Sequence, residues 1–225
     1  MTRILNPRTV AALIAAVVVA VVVATVTPAL AAPKSRYTSE LIAFDPFPNP
    51  GPVVEGARAE LRTNHNSAEL RLDTAELTPG DAVTVWWVIF NNPEACANYA
   101  SGGICTLDDL FGNTAAVGGE VTYATGKVIG ADGTASFKAK LRTGEVKKGW
   151  FGNGFVNPRG AEIHAIVHTH GPVIPGQEKD MTTTFRGGCA DDAMINPSFP
   201  PNAYNDGTPG PNQCQDLQVA IFMQK

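Results

Sequence analysis

The nine residues from Ala82 to Phe90, AVTVWWVIF, are apolar at nearly every position. On a β-strand successive side chains point to opposite faces, so this stretch carries hydrocarbon on both. A strand of that kind has to be covered on both sides. Trp86 and Trp87 are adjacent and must face opposite ways. One then belongs to the main core, while the other is roofed by a long loop or lies in a binding groove.

The remaining strands are of the half-buried kind. Ala57, Ala59 and Leu61 alternate with Arg58, Glu60 and Arg62. After the turn TNHN, which holds His65, Ala68, Leu70 and Leu72 alternate with Glu69, Arg71 and Asp73. Period-two alternation on either side of a short polar turn predicts a β-hairpin. VTYATGKVI and TASFKAKL flank GADG, and Asp132-Gly133 reads as a second hairpin turn. Met181, Thr183 and Phe185 suggest a further short strand, and Leu217, Val219, Ile221 and Met223 a closing one. A short helical turn is expected over Leu107 to Phe111. With the histidine segment discussed below, this makes about eight strands and no long amphipathic helix. The pattern predicts an all-β, antiparallel two-sheet sandwich, with a β-barrel as the alternative.

Upstream of this domain lies a leader. Arg3 and Arg8 precede the uncharged run AALIAAVVVAVVVATV, and Thr27-Pro28-Ala29-Leu30-Ala31 follows it. That is the layout of a signal peptide over residues 1–31, cut after Ala31. An uncleaved membrane anchor is the competing reading, since the run approaches spanning length. Pro28 and the small-x-small site favour cleavage, which leaves no second apolar segment of spanning length. Residues 32–56, with FDPFPNPGP, are expected to be irregular because proline has no amide hydrogen to donate. Residues 57–225 then form a single β-sandwich domain. Removing Arg3 and Arg8 takes the formal charge from −4 to −6. An acidic surface without a basic cluster argues against nucleic acid as a partner. The expected location is secreted, periplasmic or in the cell envelope.

The four cysteines, Cys96, Cys105, Cys189 and Cys214, all follow the leader. An even number in an exported chain reads as two disulfides, for which sequence allows three pairings. Cys96–Cys105 and Cys189–Cys214 are favoured, because each pair brackets one long irregular segment. On the chain-entropy view each link would contribute roughly 3 kcal/mol. Zinc held by cysteines is the competing reading, but no C-x-x-C spacing is present and an oxidising compartment disfavours free thiolates.

Three of the chain's four histidines lie in AEIHAIVHTHGP, Ala161 to Pro172. On a strand, Ile163, Ala165 and Val167 share one face, and His164, Ile166, His168 and His170 the other. Imidazoles two residues apart stand about 6.5–7 Å apart along the strand, close enough to converge on one metal ion. His168-x-His170 is therefore the candidate metal pair, with copper or zinc as the ion that suits imidazole nitrogen. His164 is about 13 Å from His168 on an ideal strand and would join only through a bulge. Further ligands would come from His65, Glu162, Asp191, Asp192 or a methionine. The alternative is a structural role, with the imidazoles hydrogen-bonded to backbone under a loop or facing solvent. No nucleophile elbow, zinc-protease helix or phosphate-binding loop occurs, so catalysis has little behind it beyond Glu162, the histidines and the loop acids.

Two segments carry a resemblance. LTPGDAVTVWWVIFNNPEAC, Leu77 to Cys96, and PRGAEIHAIVHTHGPVIPG, Pro158 to Gly176, resemble a group of uncharacterised exported bacterial β-sandwich proteins. His168-Thr169-His170-Gly171-Pro172-Val173 is also similar to the strand ends of CHRD-type domains. The resemblance implies export and a β-sandwich, and no defined chemistry. The function expected is that of a non-catalytic exported module, envelope-associated or binding a protein or glycan partner, with copper or zinc binding as the alternative.

Overall fold

The computed structural model describes residues 34–44, 50–144, 146–191 and 199–224. The leader expected over residues 1–31 lies outside them. Within them the strands are β1 (Ser35–Ser39), β2 (Ile42–Phe44), β3 (Pro50–Val53), β4 (Arg58–Asn64), β5 (Ser67–Thr74), β6 (Asp81–Phe90), β7 (Gly119–Val128), β8 (Ala135–Arg142), β9 (Glu162–Pro172) and β10 (Gln215–Phe222). They form two antiparallel sheets, a four-stranded one in the order β1-β4-β5-β8 and a six-stranded one in the order β3-β2-β10-β9-β6-β7. Neither closes on itself, so the fold is the open sandwich and not the barrel.

Between the sheets lies the main core. β4, β5 and β8 contribute Ala59, Leu61, Leu70, Leu72 and Phe137, facing Val83, Val85, Trp87, Ile163, Ala165 and Val167 from β6 and β9. The outer face of the smaller sheet carries ion pairs, Arg36 to Glu60 and Lys140 to Glu69 across strands and Arg62 to Glu60 along β4. Exposed pairs like these stabilise little, but they keep that face wet and the apolar residues on the other side.

The larger sheet is buried on both faces, as the apolar run required. Trp86, Val88, Phe90 and Ile166 point away from the smaller sheet and pack under a roof of loop residues, Leu110, Val117, Trp150, Phe185 and Ala203. Trp86 meets Trp150 and Phe185 at ring-centroid distances of 6.0 and 5.2 Å. The molecule thus has a third layer, made of long connections rather than of regular structure. Short helices α1 (Leu107–Gly112), α2 (Thr114–Val117), α3 (Glu178–Met181) and α4 (Pro201–Tyr204) stiffen it. α1 begins with a capping box between Thr106 and Asp109, in which Asp109 also accepts from the Ala97 amide at 2.8 Å. The disulfides Cys96–Cys105 and Cys189–Cys214 pin the two long loops.

Three expectations need correction. Residues 32–56 are not irregular throughout, since they supply β1, β2 and β3. β1 lies on β4 at one sheet's edge, while β2 and β3 extend the other sheet beyond β10. Proline is tolerated there because edge strands leave some amides unpaired. GADG is not a hairpin turn either. It carries the chain across from β7 in one sheet to β8 in the other, where β8 pairs with β5. Finally, residues 181–185 are not a strand. The hydroxyls of Thr182, Thr183 and Thr184 donate to the carbonyls of Glu178, Lys179 and Asp180 at 2.7–2.8 Å. Such local back-bonding competes with a ladder, and it sets Met181 and Phe185 at helical spacing, both buried.

Leu72 is fully buried between the sheets, whereas Arg71 beside it is exposed. Leu72→Ala should lower the unfolding free energy by about 2–5 kcal/mol. Arg71→Ala should stay within about 0.5 kcal/mol of wild type. Urea titration of both variants checks the assignment of faces.

Candidate functional site

β9 runs in the middle of the larger sheet between β6 and β10. It is extended, with Ile163, Ala165 and Val167 in the main core, as its alternation requires. Its histidine side is the side under the roof. His164, His168 and His170 are all buried, and His170 is fully so.

Each imidazole has a different partner. His164 Nε2 is 2.7 Å from Glu162 Oε1, which also accepts the Cys105 amide at 2.8 Å. That contact ties β9 to the first disulfide loop. His168 Nδ1 is 2.8 Å from Asp216 Oδ1 on β10, the residue opposite it in the ladder. Asp216 as a carboxylate accepts, so Nδ1–H donates, and in the neutral ring Nε2 holds the lone pair. This Nε2 is buried and has no hydrogen-bond partner among the described residues. The ring stacks on Phe185 at 5.2 Å and stands edge-on to His170 at 4.9 Å.

His170 is bonded at both nitrogens. Nδ1 is 2.9 Å from the Gly187 carbonyl, and Nε2 is 2.9 Å from Thr84 Oγ1. A carbonyl only accepts, so Nδ1–H donates to it. Thr84 donates to Nε2 and accepts from the Trp86 indole N–H at 2.9 Å. The neutral ring is therefore satisfied by a chain that crosses from β6 through β9 to the roof. Burial, and then the neighbouring His168, push the His170 pKa down to about 3, against the smaller opposing effect of the Gly187 carbonyl. Gly171 follows with φ of 73°, a conformation natural to glycine. It frees the Asn212 amide to donate to the carbonyls of His170 and Pro172, at 2.8 Å each.

The structure brings together a set that the sequence did not suggest. One ring nitrogen from each of His168 and His170 and the sulfurs of Cys189 and Cys214 lie within 4.8 Å of one another, and all four residues are buried. His170 Nδ1 is 3.6 Å from Cys189 Sγ. His164 is not in this group and stands against Phe90 and Glu162. His65 is exposed in the β4–β5 turn. Asp191 is exposed and pairs with Arg186 at 3.1 Å, and Asp192 lies outside the described residues. Met181 sulfur accepts the Ile174 amide. Two partners escaped the sequence reading, Asp216 and the cystine. Both are set beside the histidines by the β9–β10 register, in which Thr169 stands opposite Gln215. That register could not be read from either strand alone.

A second buried carboxylate, Glu120, is also structural. It accepts the amides of Val121, Phe151 and Gly154 at 2.9–3.1 Å and folds the Trp150 loop down onto the sheet. The cavity beneath the roof, between Trp86, Trp150, Phe185 and Phe199, measures about 40 Å³. That is room for roughly one water and not for a substrate. Searched against protein-family models, curated proteins and solved structures, the chain matches none.

The state of His170 has a consequence in acid. In the unfolded chain an imidazole takes up a proton as the pH falls below about 6.5, whereas folded His170 stays neutral down to about 3. The unfolded chain thus binds the extra proton across that window, so stability is complete above it and declines as the pH falls through it. One such proton corresponds to roughly 1.4 kcal/mol per pH unit. His168 is the titratable group facing His170, with Asp216 behind it. Unfolding free energies measured from neutral pH down to about pH 4 should fall less steeply for His170→Gln than for wild type. Equal slopes would remove His170 from the acid response.

Proposed function

We propose that the protein is an exported, non-catalytic β-sandwich module that binds a protein or glycan partner or forms part of the cell envelope. The single observation that carries this reading is how the buried polar groups of the larger sheet are used. His164 with Glu162, His170 with Thr84 and Gly187, and Glu120 with three amides all hold the roof in place. A catalytic histidine needs an oriented partner, a nucleophile and access for substrate. Here the partners are present, but the imidazoles lie under a packed aromatic layer. Two disulfides suit an extracellular or periplasmic location. Among the described residues no helix is long and apolar enough to cross a membrane. Recognition would then fall to the exposed loops and to the charged outer face of the smaller sheet.

Copper or zinc binding by His168 and His170 is the second reading, favoured by the unpartnered His168 Nε2. With both sulfurs of the cluster joined to each other, it offers two nitrogens, fewer than the three or four protein ligands of ordinary zinc sites. The two readings separate in one measurement. Untagged protein with its disulfides intact should carry no stoichiometric metal by elemental analysis, and a chelator should leave its unfolding temperature unchanged. Stoichiometric copper or zinc in that preparation would overturn the first reading in favour of the second.

A further inference from the structure

We propose that opening the Cys189–Cys214 disulfide turns this cluster into a Cys2His2 metal site for a divalent ion of the zinc type, so that the roof switches between a cystine-closed and a metal-closed form. The inference goes beyond the reading above, which concerns the oxidised chain, and leaves it intact.

Geometry comes first. Zinc bonds of about 2.3 Å to sulfur and 2.0–2.1 Å to nitrogen, set tetrahedrally, place sulfurs about 3.8 Å apart and a sulfur about 3.5 Å from a nitrogen. His170 Nδ1 already stands 3.6 Å from Cys189 Sγ, and all four ligand atoms fall within 4.8 Å. Assembly needs the two sulfurs to part and the imidazoles to close in slightly. The Cα atoms of Cys189 and Cys214 are 5.5 Å apart, so each cysteine can reach the site from its present backbone position.

The far nitrogens of the rings supply the second observation. Metal-bound histidines usually donate from the other nitrogen to an oxygen that fixes the tautomer. Asp216 already holds His168 Nδ1–H in that way, leaving a buried Nε2 lone pair without a partner. For His170 the proton would move from Nδ1 to Nε2, where Thr84 Oγ1 is placed to accept it. Charge agrees as well, because two thiolates and one divalent cation make a neutral buried unit. The other cystine, Cys96–Cys105, is not part of the four-residue cluster and serves as the internal control.

The chemistry balances with a dithiol or phosphine as reductant. Two electrons cleave the sulfur–sulfur bond, and two protons convert the sulfurs to thiols. A dithiol donor closes to its own disulfide, while a phosphine becomes its oxide by taking oxygen from water. Zinc then binds both sulfurs as thiolates and releases the two protons.

The test uses untagged mature protein, oxidised or reduced with a water-soluble phosphine, then mixed with zinc or cobalt(II). Alkylation and mass spectrometry score which cysteines have opened. Zinc should raise the unfolding temperature of the reduced protein and leave the oxidised protein unchanged. Cobalt should give the intense visible bands of a tetrahedral thiolate complex, one ion per chain. His168→Gln keeps the Asp216 contact but removes the ligand lone pair, and should weaken zinc binding by at least tenfold. Should the reduced chain lose its fold, zinc is expected to restore it in wild type but not in His168→Gln. The proposal is overturned if zinc acts equally on both redox forms, if it neither binds nor restores the reduced chain, or if His168→Gln binds as wild type does. It is also overturned if Cys189–Cys214 resists the phosphine until the protein unfolds. Metal found in the oxidised protein would instead count against the non-catalytic reading, so the two failures are distinct.

Discussion

The structure depends on one constraint, that β6 is apolar on both faces and so can be wetted on neither. With Trp87, Val85 and Ile89 sunk between the sheets, Trp86, Val88 and Phe90 are left pointing the opposite way. Leaving those three exposed would forgo roughly 1.5–3 kcal/mol each. The connections after β6, β8 and β9 are long and together cover that area. They take the form of a third layer with its own aromatic core, in which Trp150, Phe185 and Phe199 pack edge-on or tilted with ring centroids 4.7–5.6 Å apart.

A roof built from loops raises a second problem, because loop backbone carries polar groups that a hydrophobic layer cannot satisfy. The buried polar side chains answer it. Asn91 donates to the carbonyls of Gly118 and Gly154 and accepts the Val156 amide. Glu120 collects three amides, Glu162 one, and His170 the Gly187 carbonyl. Each of these hydrogen bonds also fixes where a loop lies. The two disulfides fasten the same loops covalently. The histidines of β9 belong to this scheme, which is why they are buried and why His170 has an oxygen partner at each ring nitrogen. His168 departs from the scheme by keeping one nitrogen without a partner beside a cystine, and the proposed metal chemistry grows from that departure.

Local patterns carried much of the fold. The alternation of Ala59 and Leu61 with Glu60 and Arg62 put β4 and β5 in a hairpin with the correct faces inward. The doubled tryptophan announced a two-sided strand, and the spacing of the cysteines pointed to the pairing that forms. Failures came where local chemistry was outvoted or misjudged. The proline-rich segment before Gly56 looked unfit for a sheet, yet edge positions accept it. Asp132-Gly133 has the composition of a hairpin turn, but β7 pairs along its length with β6 and leaves β8 free to join β5. The alternation of Met181, Thr183 and Phe185 was also compatible with helical spacing, and three threonine hydroxyls decided the matter.

By itself the sequence determined the class of fold and which residues of β9 face the core, because these follow from period-two patterning, and it favoured the cysteine pairing that closes the shorter loops. It did not determine whether the imidazoles meet solvent, protein or sulfur. That depended on the register of β10 against β9 and on how the roof folds back, which bring Asp216, Gly187, Cys189 and Cys214 to residues between seventeen and forty-eight positions away. Contacts of that range have no period. Only packing of the third layer sets them.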